Sequence, residues 1–291
     1  MNIFISNFTG IEFYLGARSN NYLEILTIRG NNILGANIYT PNLYKYQLTE
    51  SNVSHNNNLT IRTNDITKSY IPYVDTTKSV DVIVSKSSNQ NKTKLVNYHL
   101  ISGKLPPYSF LKVAKGLYVV CPELLFCQMA SVFSPVRLLL FGLELCGTYA
   151  MRHEEDNSFM PNVPALTTAE RIKKYINSLQ KCQAHFRGIA KAKNIAQYLS
   201  NNSASPQESK LYVQLCAPRK LGGYGIRNIK FNQNIQLSKA ASNIIGYSKI
   251  RPDLCNPKTK LVIEYDSTYY HENADQNKHD KLRLDAFHND G

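Results

Sequence analysis

The most constraining feature of this sequence is a pair of strand-like runs joined by a short turn. RPDL ends at residue 254, NPKT follows over residues 256–259, and KLVIEYDS forms the second run. Asn and Pro favour tight turns, so the two runs are expected to pair as a hairpin. Because side chains alternate along a strand, Glu264 and Asp266 share one face and are expected to lie near Asp253.

Three carboxylates that share one place repel one another unless a proton or a cation compensates their charge. Their hard oxygen atoms are the ligands that suit Mg²⁺ or Mn²⁺. A metal ion held there could polarise a phosphodiester and lower the pKa of an attacking water. The spacing therefore predicts a metal site formed by Asp253, Glu264 and Asp266.

The basic residues of the chain, whose formal net charge is +13, are unevenly placed. Residues 166–250 carry 14 Lys and Arg against two Asp and Glu, whereas residues 251–291 carry six against eight. A basic field attracts polyanions and releases their counterions, which favours DNA as a partner. The alternative is that these side chains only solvate helix faces. The candidates for phosphate contacts are Arg187, Lys191, Lys193 and Arg251.

The length of 291 residues is sufficient for two domains. The first half combines strand-like runs at residues 80–84, 94–101 and 116–120 with two apolar helices whose first turns contain Pro. This pattern predicts an N-terminal α+β domain over residues 1–160.

Residues 166–200 repeat apolar side chains at three- and four-residue steps, which predicts one long amphipathic helix. Thr167 and Glu170 have the spacing of its capping box. Basic side chains occupy the remaining positions, which makes this helix a candidate for facing phosphates.

Another helix start is predicted at SASPQES, residues 203–209. Ser205 is a favourable N-cap, Pro206 suits the first helical position, and Glu208 lies three residues after the cap. Capping and catalysis would compete for the Glu208 carboxylate, since one rotamer is not expected to serve both. GGYGI, which follows this helix, lacks the pattern of a phosphate-binding loop and is interpreted as a turn.

The six cysteines form no C-x-x-C pair, so we expect reduced thiols in a cytoplasmic protein. The N-terminus lacks the features of a signal peptide. The most apolar stretch, residues 124–146, is interrupted by Pro135, Arg137 and Glu144. No membrane span is therefore expected.

The ordered motifs of the C-terminal part resemble a domain of unknown function related to the very-short-patch-repair (Vsr-like) endonucleases. Those enzymes belong to the PD-(D/E)XK, or restriction-endonuclease-like, superfamily. The resemblance rests on R-P-D-L, I-E-Y-D-S, His271 and the D-x-x-R of Asp280 and Arg283, with S-A-S-P-Q-E and GGYGI upstream. It covers residues 167–291 and implies an α/β domain with an αβββα core that cleaves or binds DNA with a divalent metal.

The resemblance also implies roles for single residues. Asp253 and Glu264 would match the Asp and Glu of the superfamily. Glu208 would match the acidic residue on the first core helix, and His271 would act in catalysis. Asp280 would orient His271, and Arg283 would contact phosphate. The alternative, with equal weight, is that Asp280 and Arg283 only form an exposed ion pair.

The sequence departs from the superfamily pattern at two places. Asp266 stands where the superfamily has a Lys, two residues after the Glu, and His271 is the candidate to replace that cation. The sequence stops at Gly291, where the pattern continues into another core strand, so we expect a core that is truncated at its C-terminus.

The N-terminal part, through GLYVVCPELLFCQMA, resembles AbiEi-like antitoxin proteins, which carry this domain behind a DNA-binding module. Our first hypothesis is a metal-dependent DNA endonuclease or nickase acting in repair, mobile-element or defence systems. The alternative is a catalytically inactive nuclease fold that serves as a DNA-binding regulator or antitoxin-like protein. A third hypothesis is an interaction protein whose carboxylates are only surface charge.

Overall fold

The chain is a mixed α/β protein with a mixed sheet. It divides into two compact units, Met1–Leu199 and Ser200–Gly291. The computed structural model describes residues 3–19, 79–84, 96–114, 117–151 and 158–265.

The first unit is built on a five-stranded sheet in the order β3-β2-β1-β5-β4. Strand β1 is parallel to β5, and β2 is parallel to β3, whereas β1 with β2 and β4 with β5 are antiparallel. The three predicted strand-like runs are confirmed as β2, β3 and β5. The strands are β1 (Ile3–Ile5), β2 (Val80–Val84), β3 (Val96–Leu100), β4 (Phe110–Ala114) and β5 (Leu117–Val120).

Helices pack together beside this sheet. Helix α2 is buried along its whole length, and α4 packs against it, while α3 packs against α5. Strands β6 and β7 form a separate antiparallel pair. The elements are α1 (Asn7–Ser19), α2 (Pro122–Met129), α3 (Pro135–Leu145), β6 (Tyr149–Met151), β7 (Phe159–Pro161), α4 (Ala169–Lys181) and α5 (Ile189–Ala196).

The prediction of a single helix over residues 166–200 is wrong, because the chain breaks between α4 and α5. Gln183 and Gly188 take left-handed conformations there, with φ of +54° and +103°. A Cβ at Gly188 would lie 2.6 Å from the backbone nitrogen of Ser131. Glycine therefore permits a close approach at the start of α5, after α4 has ended at Lys181.

The boundary between the units lies between Leu199 and Ser200, later in the chain than the predicted one between residues 160 and 167. The apolar face of α4 explains the difference. Ile172 and Ile176 are fully buried, and α4 packs on α2 of the first unit. Apolar periodicity identified the buried face but carried no information about which unit would cover it.

The cap of α4 is Thr168 and not the predicted Thr167. The Thr168 Oγ1 accepts a hydrogen bond from the Arg171 N–H at 3.2 Å. Thr167 instead donates its hydroxyl to the carboxylate of Glu123, which also accepts from Arg171 Nε at 3.0 Å. Glu123 is only 4% exposed at the start of α2. Because a buried carboxylate needs hydrogen-bond donors, the Thr167 hydroxyl bonds to Glu123 and does not cap α4.

The second unit begins with a helix and continues into short strands. Strands β12, β11 and β8 form an antiparallel sheet in that order, and β9 pairs with β10 around helix α7. The ring of Tyr212 on α6 lies 4.6 Å from that of Phe231 on β8. The elements are α6 (Pro206–Cys216), a 3-10 helix (Arg219–Leu221), β8 (Lys230–Phe231), β9 (Ile235–Gln236), α7 (Lys239–Ile245), β10 (Lys249–Ile250), β11 (Leu254–Asn256) and β12 (Leu261–Ile263).

The predicted hairpin is confirmed. Strand β11 pairs with β12 in a register that places Leu254 opposite Ile263. Asn256 begins the NPKT turn, because its Oδ1 accepts from the Lys258 N–H at 3.1 Å and its carbonyl accepts from the Thr259 N–H at 3.2 Å. An asparagine side chain that bonds to the backbone two residues later is a common way to hold a turn.

The interpretation of GGYGI as a turn is also confirmed. The N–H of Tyr224 donates to the Gln214 carbonyl at 2.8 Å, so the loop folds back on the end of α6. A Cβ at Gly223 would collide with the carbonyl of Ala217, which explains the glycine at this position.

All six cysteines are free thiols. Within the described ranges, none of the helices has the length and apolar character that crossing a membrane requires.

Candidate active site

Asp253 and Glu264 lie opposite each other at the open end of the β11–β12 hairpin, one step beyond the pair Leu254 and Ile263. The Asp253 N–H donates to Glu264 Oε2 at 3.1 Å. The Tyr265 N–H donates to Asp253 Oδ2 at 2.8 Å. Each carboxylate therefore accepts a backbone hydrogen bond from the facing strand, and the hairpin brings both acids together as predicted.

Glu208 joins this end of the hairpin from helix α6. Its N–H donates to the Ser205 Oγ at 3.1 Å, so Ser205 is the predicted N-cap. Its carboxylate Oε2 accepts from the Ala204 N–H at 3.0 Å and from Asn232 Nδ2 at 2.6 Å. Glu208 is only 6% exposed. One rotamer thus bonds to the helix start and to Asn232, and the expected competition between capping and catalysis stays a prediction.

Asn232 connects the helix to the hairpin. Its backbone N–H donates to the Asp253 carbonyl at 3.0 Å, while its side chain reaches Glu208. The sequence prediction missed this residue. The signal that could have revealed it is its position just after a short strand, since Asn is one of the few residues that accept the left-handed φ of +49° found here.

Burial raises the pKa of Glu208 above its usual value of 4.5, because the charged form loses its hydration. The hydrogen bonds from Ala204 and Asn232 favour the charged form and oppose this shift, whereas the negative charge of Asp253 adds to it. Burial is the largest of these influences on the pKa of Glu208.

The composition of the surrounding chain makes this cluster distinctive. Residues 200–265 contain three acidic side chains against ten Lys and Arg. Two of these three, Asp253 and Glu264, face each other at the open end of the hairpin. The third, Glu208, is linked to the strand end of Asp253 through Asn232.

The predicted metal site stays a prediction. Asp253 and Glu264 supply hard oxygen atoms of the kind that Mg²⁺ and Mn²⁺ bind. In the part of the chain that the structure describes, no group of three or more His, Cys, Asp or Glu could hold a metal ion. The third predicted ligand, Asp266, lies outside the described residues. The other predicted site residues that lie outside them are His271, Asp280 and Arg283.

Three of the five predicted phosphate contacts belong to the first unit and not to the unit that holds the carboxylates. Lys191 Nζ donates to the Phe133 carbonyl at 3.0 Å, and Lys193 Nζ donates to Gln180 Oε1 at 3.3 Å. Arg187 is exposed on the connection between α4 and α5. Contact of these three residues with phosphate stays a prediction.

Arg251, the fourth candidate, belongs to the second unit and lies two residues before Asp253. Its side chain is exposed, and its Nε donates to the Asn232 carbonyl at 3.0 Å. This hydrogen bond holds a positive charge close to the carboxylate cluster, which is a suitable position for a phosphate contact.

Comparisons with models of known protein families, with curated proteins and with solved structures found no match to this chain. The resemblances to Vsr-like endonucleases and to AbiEi-like antitoxins therefore stay predictions that rest on the sequence motifs.

The raised pKa of Glu208 gives a testable pH dependence. A carboxyl whose pKa is higher in the folded chain stabilises the fold most at pH values below its unfolded pKa, and this stability is lost as pH rises through the folded pKa. Replacing Glu208 with Gln keeps an oxygen acceptor for Ala204 and Asn232 but removes the charge. We expect the stability of Glu208→Gln relative to wild type to increase as pH rises from 4.5 toward neutral.

Urea unfolding of both proteins at several pH values, followed by circular dichroism, measures this difference. A difference in unfolding midpoint that stays constant with pH, or that decreases as pH rises, would contradict a raised pKa for Glu208.

Proposed function

We propose that the second unit is a metal-dependent DNA endonuclease or nickase of the PD-(D/E)XK type, acting in repair, mobile-element or defence systems. The observation that carries this proposal is the pairing of Asp253 with Glu264, and their link through Asn232 to Glu208, in a segment that is otherwise strongly basic. The basic side chains would attract the DNA backbone, and the carboxylates would provide the reactive centre.

The order of elements supports the same proposal. Helix α6 is followed by β8, β11 and β12, which form one antiparallel sheet, with the hairpin β9–β10 inserted between β8 and β11. This order agrees with the first four elements of the αβββα core that the sequence resemblance implies. Asp253 and Glu264 lie at the adjoining ends of two of these strands.

In the proposed reaction, Asp253 and Glu264 would hold the divalent cation. A bound Mg²⁺ or Mn²⁺ supplies Lewis acidity to the scissile phosphate and lowers the pKa of an attacking water. The raised pKa of Glu208 makes its carboxylate a stronger base near neutral pH, so Glu208 would accept the proton of that water. Arg251 would contact the DNA phosphate.

Plasmid cleavage by the full-length protein tests this proposal. We expect supercoiled plasmid to be converted to the nicked or linear form with Mg²⁺ or Mn²⁺, and to stay intact with EDTA. Protein free of contaminating nucleases that leaves plasmid and short duplexes intact with both metals would contradict nuclease activity.

A second function, DNA binding without cleavage, is favoured by a different observation. Asp253 and Glu264 each direct one carboxylate oxygen at a backbone N–H of the facing strand, so these acids also have a role in closing the hairpin. A DNA-binding regulator or antitoxin-like protein would bind labelled duplex with a slope of about −0.9 in log binding constant against log salt for each phosphate contacted. Its affinity would not change on replacement of Asp253.

A melting experiment separates both functions from an interaction protein. A ligand that binds the native state raises its melting temperature. Neither Mg²⁺ nor DNA would change the melting temperature of a protein whose carboxylates are only surface charge.

A further inference from the structure

Asn232, at the end of β8, makes hydrogen bonds to two other segments of the second unit. Its backbone N–H donates to the Asp253 carbonyl at 3.0 Å, and its carbonyl accepts from Arg251 Nε at 3.0 Å. Its side-chain Nδ2 donates to Glu208 Oε2 at 2.6 Å and to the Asn202 carbonyl at 3.0 Å. The start of α6, the end of β8 and the strand end that carries Asp253 are therefore joined through one residue.

The chemistry of an asparagine fits this position closely. Glu208 is buried near a second negative charge, so its partner must donate hydrogen bonds without adding another carboxylate. The amide of Asn232 supplies two N–H donors, and a hydrogen bond to a charged acceptor is short and strong. The left-handed φ of +49° excludes most other side chains but is tolerated by Asn.

We infer that Asn232 is a positioning residue that holds the Glu208 carboxylate in place against the strand end of Asp253. The contact itself rests on the geometry, whereas its consequence for catalysis rests on the proposed nuclease function. The amide of Asn232 need not touch DNA or metal, because it acts through the carboxylate that it orients.

The test compares Asn232→Gly with Asn228→Gly in the full-length protein. Glycine accepts a positive φ, so each variant removes a side chain without straining the backbone. Asn228 is a matched control because it is exposed in the same unit and has a φ of +65°.

The expected kinetic effect is measured with supercoiled plasmid and Mg²⁺. We expect kcat of Asn232→Gly to fall at least about tenfold, because removing a partner that orients reactive groups has an effect of this size. The KM for DNA and the Mg²⁺ concentration for half-maximal rate should stay unchanged, and Asn228→Gly should behave as wild type.

A double-mutant cycle with Glu208→Ala tests the contact without any need for activity. We expect Asn232→Gly to lower the urea midpoint in the wild-type background and to lower it much less when Glu208 is already Ala, because the shared hydrogen bond is gone. Additive effects on the midpoint, or a kcat of Asn232→Gly equal to that of wild type in an active enzyme, would overturn the inference.

Other outcomes are also decisive. Coupling between the two residues in a wild-type protein that cleaves no DNA would support the positioning contact while rejecting the nuclease function. If Asn232→Gly does not fold, Asn232→Ser takes its place, because Ser removes the amide that reaches Glu208 without adding a second carboxylate beside it. Coupling with Glu208→Ala would then support the inference, and additivity would overturn it.

Discussion

Replacing Asp253 with Asn is expected to lower the rate of metal-dependent plasmid nicking by at least about 100-fold. Even the removal of residues that only orient metal ligands lowers metal affinity or activity by about 10- to 100-fold. The Asn side chain keeps an oxygen that can accept the Tyr265 N–H, so the hairpin should be retained. The change removes one negative charge at the adjoining ends of β11 and β12, where the proposal places the cation. Initial rates of conversion of supercoiled plasmid with Mg²⁺ measure the effect.

The matched control is Asn243→Lys, which makes the same change in net charge at an exposed position on α7. We expect this control to nick plasmid at least as fast as wild type, because added positive charge strengthens binding to DNA. If both variants lose activity equally, the lower nicking rate is due to the change in net charge and not to the loss of the Asp253 carboxylate. Nicking by Asp253→Asn at the wild-type rate would place the reactive centre elsewhere.

Glu123→Ala is expected to lower the free energy of unfolding of the first unit by about 2–3 kcal/mol. Removing one partner of a fully buried ion pair costs about 3–5 kcal/mol, and the cost is smaller here because the other partner is only partly buried. Glu123 is 5% exposed at its side chain and Arg171 is 32% exposed. The carboxylate accepts from Thr167 Oγ1 and from Arg171 Nε, so it joins the start of α2 to the start of α4. Urea unfolding followed by circular dichroism measures the loss.

Two further variants separate the buried hydrogen bonds from general loss of charge. Glu123→Gln keeps an oxygen acceptor and should lose less stability than Glu123→Ala. Glu170→Ala removes an exposed carboxylate from the first turn of α4 and should cost less than about 1 kcal/mol, as is usual for a charge near a helix N-terminus. If all three variants lose the same free energy, the buried network does not account for the effect.

Short sequence patterns predicted the start of α6 and the β11–β12 hairpin, because both depend mainly on neighbouring residues. Ser205, Pro206 and Glu208 specify a helix start within four residues, and the structure has α6 beginning there. Alternation and the NPKT turn specify a hairpin, because the register of a two-stranded pair follows from the turn that joins it. The opposition of Asp253 and Glu264 is a direct consequence of that register.

Patterns along the chain were less informative where distant residues compete for the same group. Thr167 has the spacing of a cap, but the buried carboxylate of Glu123, 44 residues earlier, accepts its hydroxyl. The helix predicted over residues 166–200 is divided by left-handed Gln183 and Gly188, and Gly188 passes close to Ser131. Neither constraint is visible within a helical window of sequence.

The sequence by itself determined the chemistry of this protein's second unit: a hairpin with an acid on each strand, an acidic helix start and a strong excess of basic residues. Only the tertiary structure decided that Asn232 links Glu208 to the strand end of Asp253 and that residues 166–199 pack with the first unit. The physical reason is that turns and caps depend on neighbouring residues, whereas burial and side-chain hydrogen bonds depend on segments that meet only after the chain has folded.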